Sequence, residues 1–391
     1  MTTMPTLPVS VANLNPAPGL RSVCILGAGH IGFAMALMLQ QGGGYQLTVA
    51  DRDADRLRAV TALGIATRHI QHADDLKAAV AGQYAVLNAL PYHQAVTVAT
   101  LCAAEDVHYF DLTEDVQSTH AIQALAATGQ GGAAATSVLM PQCGLAPGFI
   151  GIVGHDLARR FEQLHTLRMR VGALPRYPQG ALRYNLTWST EGLINEYCNP
   201  CEAIVDGVRT TVPALEGLET FSLDGVEYEA FNTSGGLGML THTLMGRARQ
   251  VDYQSIRYPG HCAILKLLLN DLRLRERRDL LKDILENAVP TTDQDVIVIF
   301  ATATGLQGGK LVQHSYSARI LGAEVGGHRL SAIQRTTAAG ICTALDLVAQ
   351  GRLPAQGFVG QEAVSLPDFL GNRFGAVYAV DEVPLLNAAM V

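Results

Sequence analysis

The hexapeptide Gly27-Ala28-Gly29-His30-Ile31-Gly32 constrains this chain more than any other feature, because of what flanks it. Ser22-Val23-Cys24-Ile25-Leu26 precedes it, a short apolar run suited to a buried parallel strand. Phe33–Gln40 follows with apolar residues at helical spacing, and Gln46–Ala50 reads as a second strand ending on Asp51. Strand, glycine turn, helix, strand and acid therefore occur in the order that a dinucleotide-binding unit requires. Gly27 permits the tight turn, Gly29 lets a pyrophosphate approach the backbone, and Gly32 lets helix and strand pack closely. The amides of His30 and Ile31, in the first helical turn, would face the phosphates.

Asp51 bears on which nucleotide is bound. A carboxylate there accepts hydrogen bonds from the ribose hydroxyls and repels a 2′-phosphate, which favours NAD over NADP. Arg52 follows directly and could pair with a 2′-phosphate, stack on adenine or simply be solvated.

With 391 residues the chain is long enough for two domains with substantial cores. Only 16% of residues are charged, so much surface is expected to be buried between domains or subunits. A net charge of -7 argues against nucleic acid or an anionic membrane as partner. No apolar run reaches membrane-spanning length. Residues 1–20 contain no Lys or Arg and read as a disordered leader rather than a signal peptide. Seven cysteines without clustered spacing suit a reducing, cytoplasmic setting. Cys198 and Cys201 lack a second pair or a nearby His and are read as ordinary thiols, so no metal site is expected.

Alternation continues past Asp51. Helical segments at Asp55–Leu63, Lys77–Ala81, His93–Ala104 and Ile122–Ala127 separate apolar strands at Tyr84–Leu90, Val107–Leu112 and Ser137–Met140. This pattern predicts an α/β fold with a Rossmann-type doubly wound parallel sheet over residues 21–150. After about residue 165 the texture changes to two-residue alternation, at Leu167–Val171 and Ala181–Thr187. Asp206-Gly207 and Asp224-Gly225 stand between further such runs as hairpin signals. Val296–Thr302 and Lys310–Ile320, separated by Gly305–Gly309, form another expected antiparallel pair. Residues 151–330 are thus expected to be a mixed, mostly antiparallel α+β domain for substrate binding and dimerisation. A helix from near Ser331 to Ala349 should return residues 331–391 to the first domain.

Nicotinamide sites form at the carboxyl ends of parallel strands. Asn88-Ala89-Leu90-Pro91-Tyr92 should pass the cofactor ribose. Asp111, at a strand end before Thr113-Glu114-Asp115, either reaches the reacting centre or caps the next helix. Cys143 lies on the same sheet edge, where a buried small hydrophobe is its usual fate. In Ser189–Tyr197 a capping Ser opens a helix with Glu191 and Asn195 on one face. Glu191 suits either a first-turn acid or the anchor of a substrate ammonium. Arg257-Tyr258-Pro259-Gly260-His261 offers a planar grip on a carboxylate and a proton-transfer group.

These segments resemble the saccharopine dehydrogenase superfamily, most closely its lysine 6-dehydrogenase branch. The motifs are Asn88–Tyr92, His108–Leu112, Cys143–Gly148, Trp188–Leu193, Thr233-Ser234-Gly235-Gly236-Leu237 and Arg257–His261. The resemblance extends from Val23 to about Phe374. It implies a dinucleotide domain closed by a C-terminal helix, and a central domain that covers the substrate and dimerises. It also matches Asp111 and Cys143 to the substrate end, as catalytic candidates, while Ser234 and Tyr258 are further expected substrate-binding residues. The final His261 and the acid at Asp51 depart from the saccharopine reductases and point to the lysine branch.

The expected reaction is NAD-dependent oxidative deamination of an amino-acid amine, foremost the ε-amine of L-lysine, giving allysine and ammonia. In this reading Arg257 holds the carboxylate, Glu191 the α-ammonium, and Asp111 or His261 moves the proton. A secondary-amine dehydrogenase acting on saccharopine or a carboxy-polyamine needs a second carboxylate anchor, for which Arg176 or Arg183 could serve. A nicotinamide-binding regulator without turnover is the alternative outside enzymes.

Overall fold

The computed structural model describes residues 20–128 and 134–379; the expected leader lies almost wholly outside them. The first sheet is all-parallel. Its strands are β1 (Arg21–Leu26), β2 (Tyr45–Asp51), β3 (Ala66–His69), β4 (Ala85–Asn88), β5 (His108–Asp111) and β6 (Val138–Met140). Helices α1 (His30–Gly42), α2 (Ala54–Thr61), α3 (Ala73–Val80), α4 (Ala95–Ala104) and α5 (Val116–Thr128) lie between them. Spatial order is β6-β5-β4-β1-β2-β3, so the chain reverses direction between β1 and β4. The crevice outside their carboxyl ends is where such sheets bind nucleotides. Val23–Leu26 of β1, Ala85–Leu87 of β4 and Tyr109-Phe110 of β5 are fully buried, the apolar centre of a sheet covered on both faces.

After α6 (Phe149–Ala158) the chain enters an eight-stranded mixed sheet built on the long strand β7 (Gln163–Pro175). Helix α7 (Thr190–Cys198) leads to two hairpins, β8 (Cys201–Val205) with β9 (Val208–Val212) and β10 (Glu219–Leu223) with β11 (Val226–Asn232). Both turn at the Asp-Gly pairs, where Asp206, Gly207, Asp224 and Gly225 all adopt positive φ, as type I′ turns require. A short helix α8 (Leu240–Thr243) precedes β12 (Ala248–Arg257), and α9 (His261–Lys266) and α10 (Arg278–Ala288) follow it. β13 (Asp295–Gln307) and β14 (Lys310–Leu321) then pair antiparallel, turning at Gly308-Gly309 because β13 continues through Gly305. β12 lies parallel to β7, whereas β13 runs antiparallel on its other side. The alternation at Ala181–Thr187 does not form a strand. It is a loop with Arg183 at positive φ and a single isolated β-bridge, from Leu186 to Thr291.

A small hairpin, β15 (Ala323–Val325) with β16 (His328–Leu330), leads into α11 (Ala332–Ala349). Its N-terminus is capped by a Ser331–Gln334 capping box and by the buried Asp295, which accepts from the amides of Ala332 and Ile333. Helix α11 packs along α1, and at Gly340 it lies so close to the Cys143 carbonyl that a Cβ would sit 2.5 Å from it. The last strand, β17 (Gly357–Phe358), adds to β6 on the parallel sheet before α12 (Leu366–Gly371). Asp346 of α11 fastens this segment. Its buried carboxylate accepts from Tyr45 (2.7 Å), Gln350 (2.7 Å), Asn372 (2.8 Å) and Arg373 (2.6 Å). Asp346→Ala strands four donors and should lower stability by about 2–3 kcal/mol, read as a lower urea midpoint at unchanged slope.

Candidate active site

The glycine turn after β1 has the geometry its sequence predicts. Gly27 has φ 101°, and a Cβ there would press on the Ala89 carbonyl at 3.0 Å. At Gly32 a Cβ would fall 1.8 Å from the Gly27 carbonyl oxygen, so only glycine lets α1 cross β1 here. Helix α1 starts at His30 with neither a side-chain cap nor an acid in its first turn, leaving its leading amides for an anion. Asp51, at the carboxyl end of β2, ties the turn in place: it accepts from Ala28 N (2.5 Å) and Asp53 N (2.8 Å). Arg52 is exposed. Arg56 lies 3.7 Å from the point where a Gly29 Cβ would be, at the mouth of the phosphate site. Across the crevice, Asn88 orders the β4 loop by accepting from Leu90 N and donating to Tyr109, with Ala89, Pro91 and Tyr92 along the rim.

Asp111 does not point into open space. Its carboxylate accepts from Tyr109 Oη (2.7 Å), Thr113 N (3.0 Å) and Gln142 N (2.9 Å), and it is 1% exposed. Burial pushes it up to about 6, against the pull of those donors. Asp111 therefore joins the β5 and β6 loops, with Tyr109 linking it to Asn88 of β4, and its committed carboxylate is not a proton carrier. Nor does it cap α5; Asp115 does, accepting from Ser118 N. Cys143 is a buried thiol donating to the Met140 carbonyl, and burial raises it far above the usual thiol range. It is a packing residue, like the buried thiols Cys198 and Cys201.

In the second domain the structure redistributes the expected roles. Glu191 faces α10, where it pairs with Lys282 (2.8 Å), and Asn195 accepts from Arg278 on the same side. The two do share a helix face, and on it they pair with α10, where Glu191 stays exposed with its charge committed to Lys282. Tyr258 turns to the outer face of the mixed sheet, donating to the Pro175 carbonyl and stacking on Tyr228. His261 is buried: Nδ1–H donates to the Leu182 carbonyl (2.9 Å), so Nε2 accepts from Tyr197 Oη (3.1 Å). Burial and the nearby Arg257 hold it down at about 3, so it stays neutral and is not a proton carrier. Arg257 is enclosed between the rings of Tyr184 and Tyr197 at 5.0 and 5.6 Å. Its Nε donates to Tyr197 Oη (2.8 Å) and its Nη1 to the Ile256 carbonyl (2.8 Å). With 3% exposure it has no free fork for a substrate carboxylate.

What Arg257 does reach is Glu196, at 3.4 Å. Five positions beyond Glu191, Glu196 lies about 140° round α7 and faces inward. Burial pushes its carboxyl up to about 7, only partly offset by Arg257, while the charge of Glu114 adds to the rise. Glu114 comes from the other domain, on the loop after β5, and is itself raised by burial. Both lie along the seam between the domains. A Cβ on Gly235 would lie 3.2 Å from Glu114 Cβ, and the neighbouring Ser234 binds α7 through its amide to Glu196 O (3.1 Å) and its hydroxyl to Asn195 O (3.0 Å). Ser234 thus positions α7 with its side chain committed. Beside it, Gly238 closes on Gln142 of the β6 loop. A carboxyl perturbed by burial between two domains, next to the strand ends of the parallel sheet, makes Glu196 the candidate reactive group of this site. Sequence reading named neither Glu114 nor Glu196 as a site residue. By contrast, a groove of about 920 Å³ lined by His165, Thr166, Arg247, Arg249 and Thr304 opens at the start of β7. It lies at the far end of β12 from Arg257, about 30 Å away along the strand.

Comparison with known proteins agrees with this architecture. Residues 23–136 match the family model described as Saccharopine dehydrogenase NADP binding domain, and residues 144–372 match Saccharopine dehydrogenase C-terminal domain. The chain belongs to the saccharopine dehydrogenase family. It is a pyridine-nucleotide oxidoreductase acting on CH–NH groups of amino-acid substrates. Apo saccharopine dehydrogenase (L-Glu forming) from Saccharomyces cerevisiae has the same fold, with a TM-score of 0.70 at 15% identity, covering 91% of this chain and 96% of that one. A myo-inositol dehydrogenase from Corynebacterium glutamicum matches at TM-score 0.44 and 12% identity, over 92% of this chain and 97% of its own. No helix among the described residues is long and apolar enough to cross a membrane.

Proposed function

We propose that this family member uses NAD to deaminate a primary amine of an amino acid, foremost the ε-amine of L-lysine, and that Glu196 is its proton acceptor. The observation that carries the reading is Glu196 itself: a shielded carboxyl held near neutrality at the seam, steadied by a buried arginine. Bound nicotinamide supplies the hydride acceptor, and the Gly27–Gly32 turn, Asp51 and the Asn88–Tyr92 loop would hold it. Glu196 takes the proton from the substrate ammonium, freeing the nitrogen lone pair that expels hydride from the adjacent carbon. The resulting iminium adds water, and ammonia leaves to give the semialdehyde. Glu196 is well matched to both proton steps because its affinity lies near ambient pH. The test is reduced-nicotinamide absorbance with NAD against L-lysine, saccharopine, a carboxy-polyamine and no substrate. Turnover of L-lysine supports the reading; turnover of a secondary amine alone, or none with any amine, rejects it.

NAD preference rests on Asp51, whose two oxygens have further lone pairs for the ribose hydroxyls. Asp51→Ser removes a charged acceptor worth about 1.5–3 kcal/mol, weakening NAD by roughly 10- to 150-fold. NADP should lose less, since Ser no longer repels its phosphate but also no longer ties Ala28. A wild-type kcat/KM that favours NADP rejects this assignment.

A homodimer is the proposed assembly. The outer face of the mixed sheet carries the partly buried Phe221, Tyr258 and Phe300, with the Arg170 guanidinium 5.2 Å over the Phe300 ring and 5.8 Å over that of Phe221. A second copy packed on this face, with two-fold symmetry, would bury it. Light scattering at micromolar concentration should give twice the 41.6 kDa chain mass, and Phe300→Glu should halve it.

A further inference from the structure

We propose that Arg56 clamps the pyrophosphate of the bound dinucleotide, leaving its ion pair with Asp53 to do so. This rests on the reading of the Gly27–Gly32 turn as the nucleotide cradle and is independent of which amine is oxidised. The space over Gly29 is where a pyrophosphate comes closest to the backbone. Gly29 has no Cβ. Around the point where one would stand, Arg56 Nη1 at 3.7 Å is, among the described residues and chain neighbours aside, the only heavy atom within 4 Å. At Gly27 and Gly32 the corresponding points are pressed by the carbonyl oxygens of Ala89 and Gly27. The cradle is thus tight where the chain must cross itself and open at Gly29, and a guanidinium from α2 stands at the opening.

A pyrophosphate brings two negative charges. The N-terminus of α1 supplies about half a positive charge, and neither an acid nor a side-chain cap competes for its amides. The balance calls for a cation, and Arg56 is free to supply it. Its present pair is weak: Nε stands 3.3 Å from Asp53 Oδ2, with both side chains well exposed to water. Nor does Asp53 depend on that pair. Its carboxylate caps α2, accepting from Asp55 N (2.9 Å) and Arg56 N (3.2 Å). Those two amides do more than the Arg56 charge to hold it below the usual carboxylate range. Departure of the guanidinium therefore strands no buried group, and α2 keeps its cap. The next arginine, Arg58, is committed to Asp55 on the same helix. A planar fork also suits two phosphate oxygens at once, which an ammonium does not.

Fluorescence titration of the intact enzyme with NADH, and displacement of NADH by ADP-ribose, test the clamp without turnover. Arg56→Ala should weaken both ligands alike, by about tenfold. That is the lower end of the worth of a hydrogen bond to a charged group, because the site is open to water. Arg56→Lys, which keeps the charge without the fork, should recover part of the loss. Added NaCl should weaken NADH binding to wild type more steeply than to Arg56→Ala. Asp53→Asn still caps α2 but releases the guanidinium, so it should tighten NADH about two- to fivefold. That gain should vanish when Arg56→Ala is added. An NADH affinity unmoved by Arg56→Ala would overturn the clamp. So would a tenfold loss with an unchanged salt response, which marks a stacking contact on adenine, or a loss confined to NADPH, which marks a ribose phosphate. Wild-type enzyme that binds neither NADH nor NADPH would sink the cradle itself, a failure distinct from one in which wild type binds and only Arg56 proves idle.

Discussion

Glu196→Gln should reduce kcat/KM for the amine by 10²–10⁴-fold, the usual worth of a positioned general base, while NADH affinity stays within about twofold of wild type. The substitution keeps the size and hydrogen-bonding reach of the side chain, so α7 and its anchor on Ser234 should persist. The pH profile gives an independent check. Glu196 must be ionised to accept a proton, and its folded-state value lies at about 7 because burial disfavours the charge. Activity in kcat/KM should therefore climb with unit slope as pH rises to about 7, then level. An acid limb near 4.5, the ordinary position of a glutamate, would show that another group takes the proton.

Gly32→Ala should all but abolish nucleotide binding. The added methyl would lie 1.8 Å from a backbone oxygen, and neither partner is a flexible side chain that could swing away. Relief requires α1 to move off β1 or the Gly27 turn to open, and either displaces the amides aimed at the pyrophosphate. A strain of about 3 kcal/mol corresponds to a Kd raised by more than a hundredfold. Fluorescence titration with NADH measures it. The protein should fold, with α11 and the second domain intact, so circular dichroism should change little. An unaltered Kd would show that the turn does not carry the phosphates.

The parts of the molecule readable in advance were those whose signal is local. Gly27, Gly29 and Gly32 each answer a steric demand set within a few residues, and the Asp-Gly hairpins do likewise. Asp51 is fixed by the strand it ends. β3 escaped notice because its residues, Ala66–His69, lie at the sheet edge and are largely exposed, so no apolar run marks them. Ala181–Thr187 alternates without being a strand, because its neighbours, not its own pattern, decide whether a partner strand is present. The site shows the same limit. Glu191 and Glu196 sit on one helix, and only the packing of α10 against one side determines which faces the other domain. Arg257 and His261 drew attention for their chemistry, yet both are enclosed, and their hydrogen bonds run to Tyr197, 60 and 64 residues away. Glu114 drew none because it follows three residues after Asp111, the strand-end acid that took the attention.

The strand β17 has a consequence for the order of assembly. It completes the parallel sheet from the far end of the chain, and the Gln361 amide reaches the Pro141 carbonyl across a separation of 220 residues. During synthesis at roughly 5–20 residues per second, β6 waits some 10–40 s for its outer neighbour. In that interval α1 has no α11 to lie against, and the part of its apolar surface that α11 covers in the finished fold faces water. The nucleotide-binding half, though begun first, is the last to close, and the second domain is a folded interlude inside it. Contacts of such long range make folding slow and leave the unfinished sheet open to a chaperone. A nascent chain halted before residue 330 should hold a formed mixed sheet but no nucleotide.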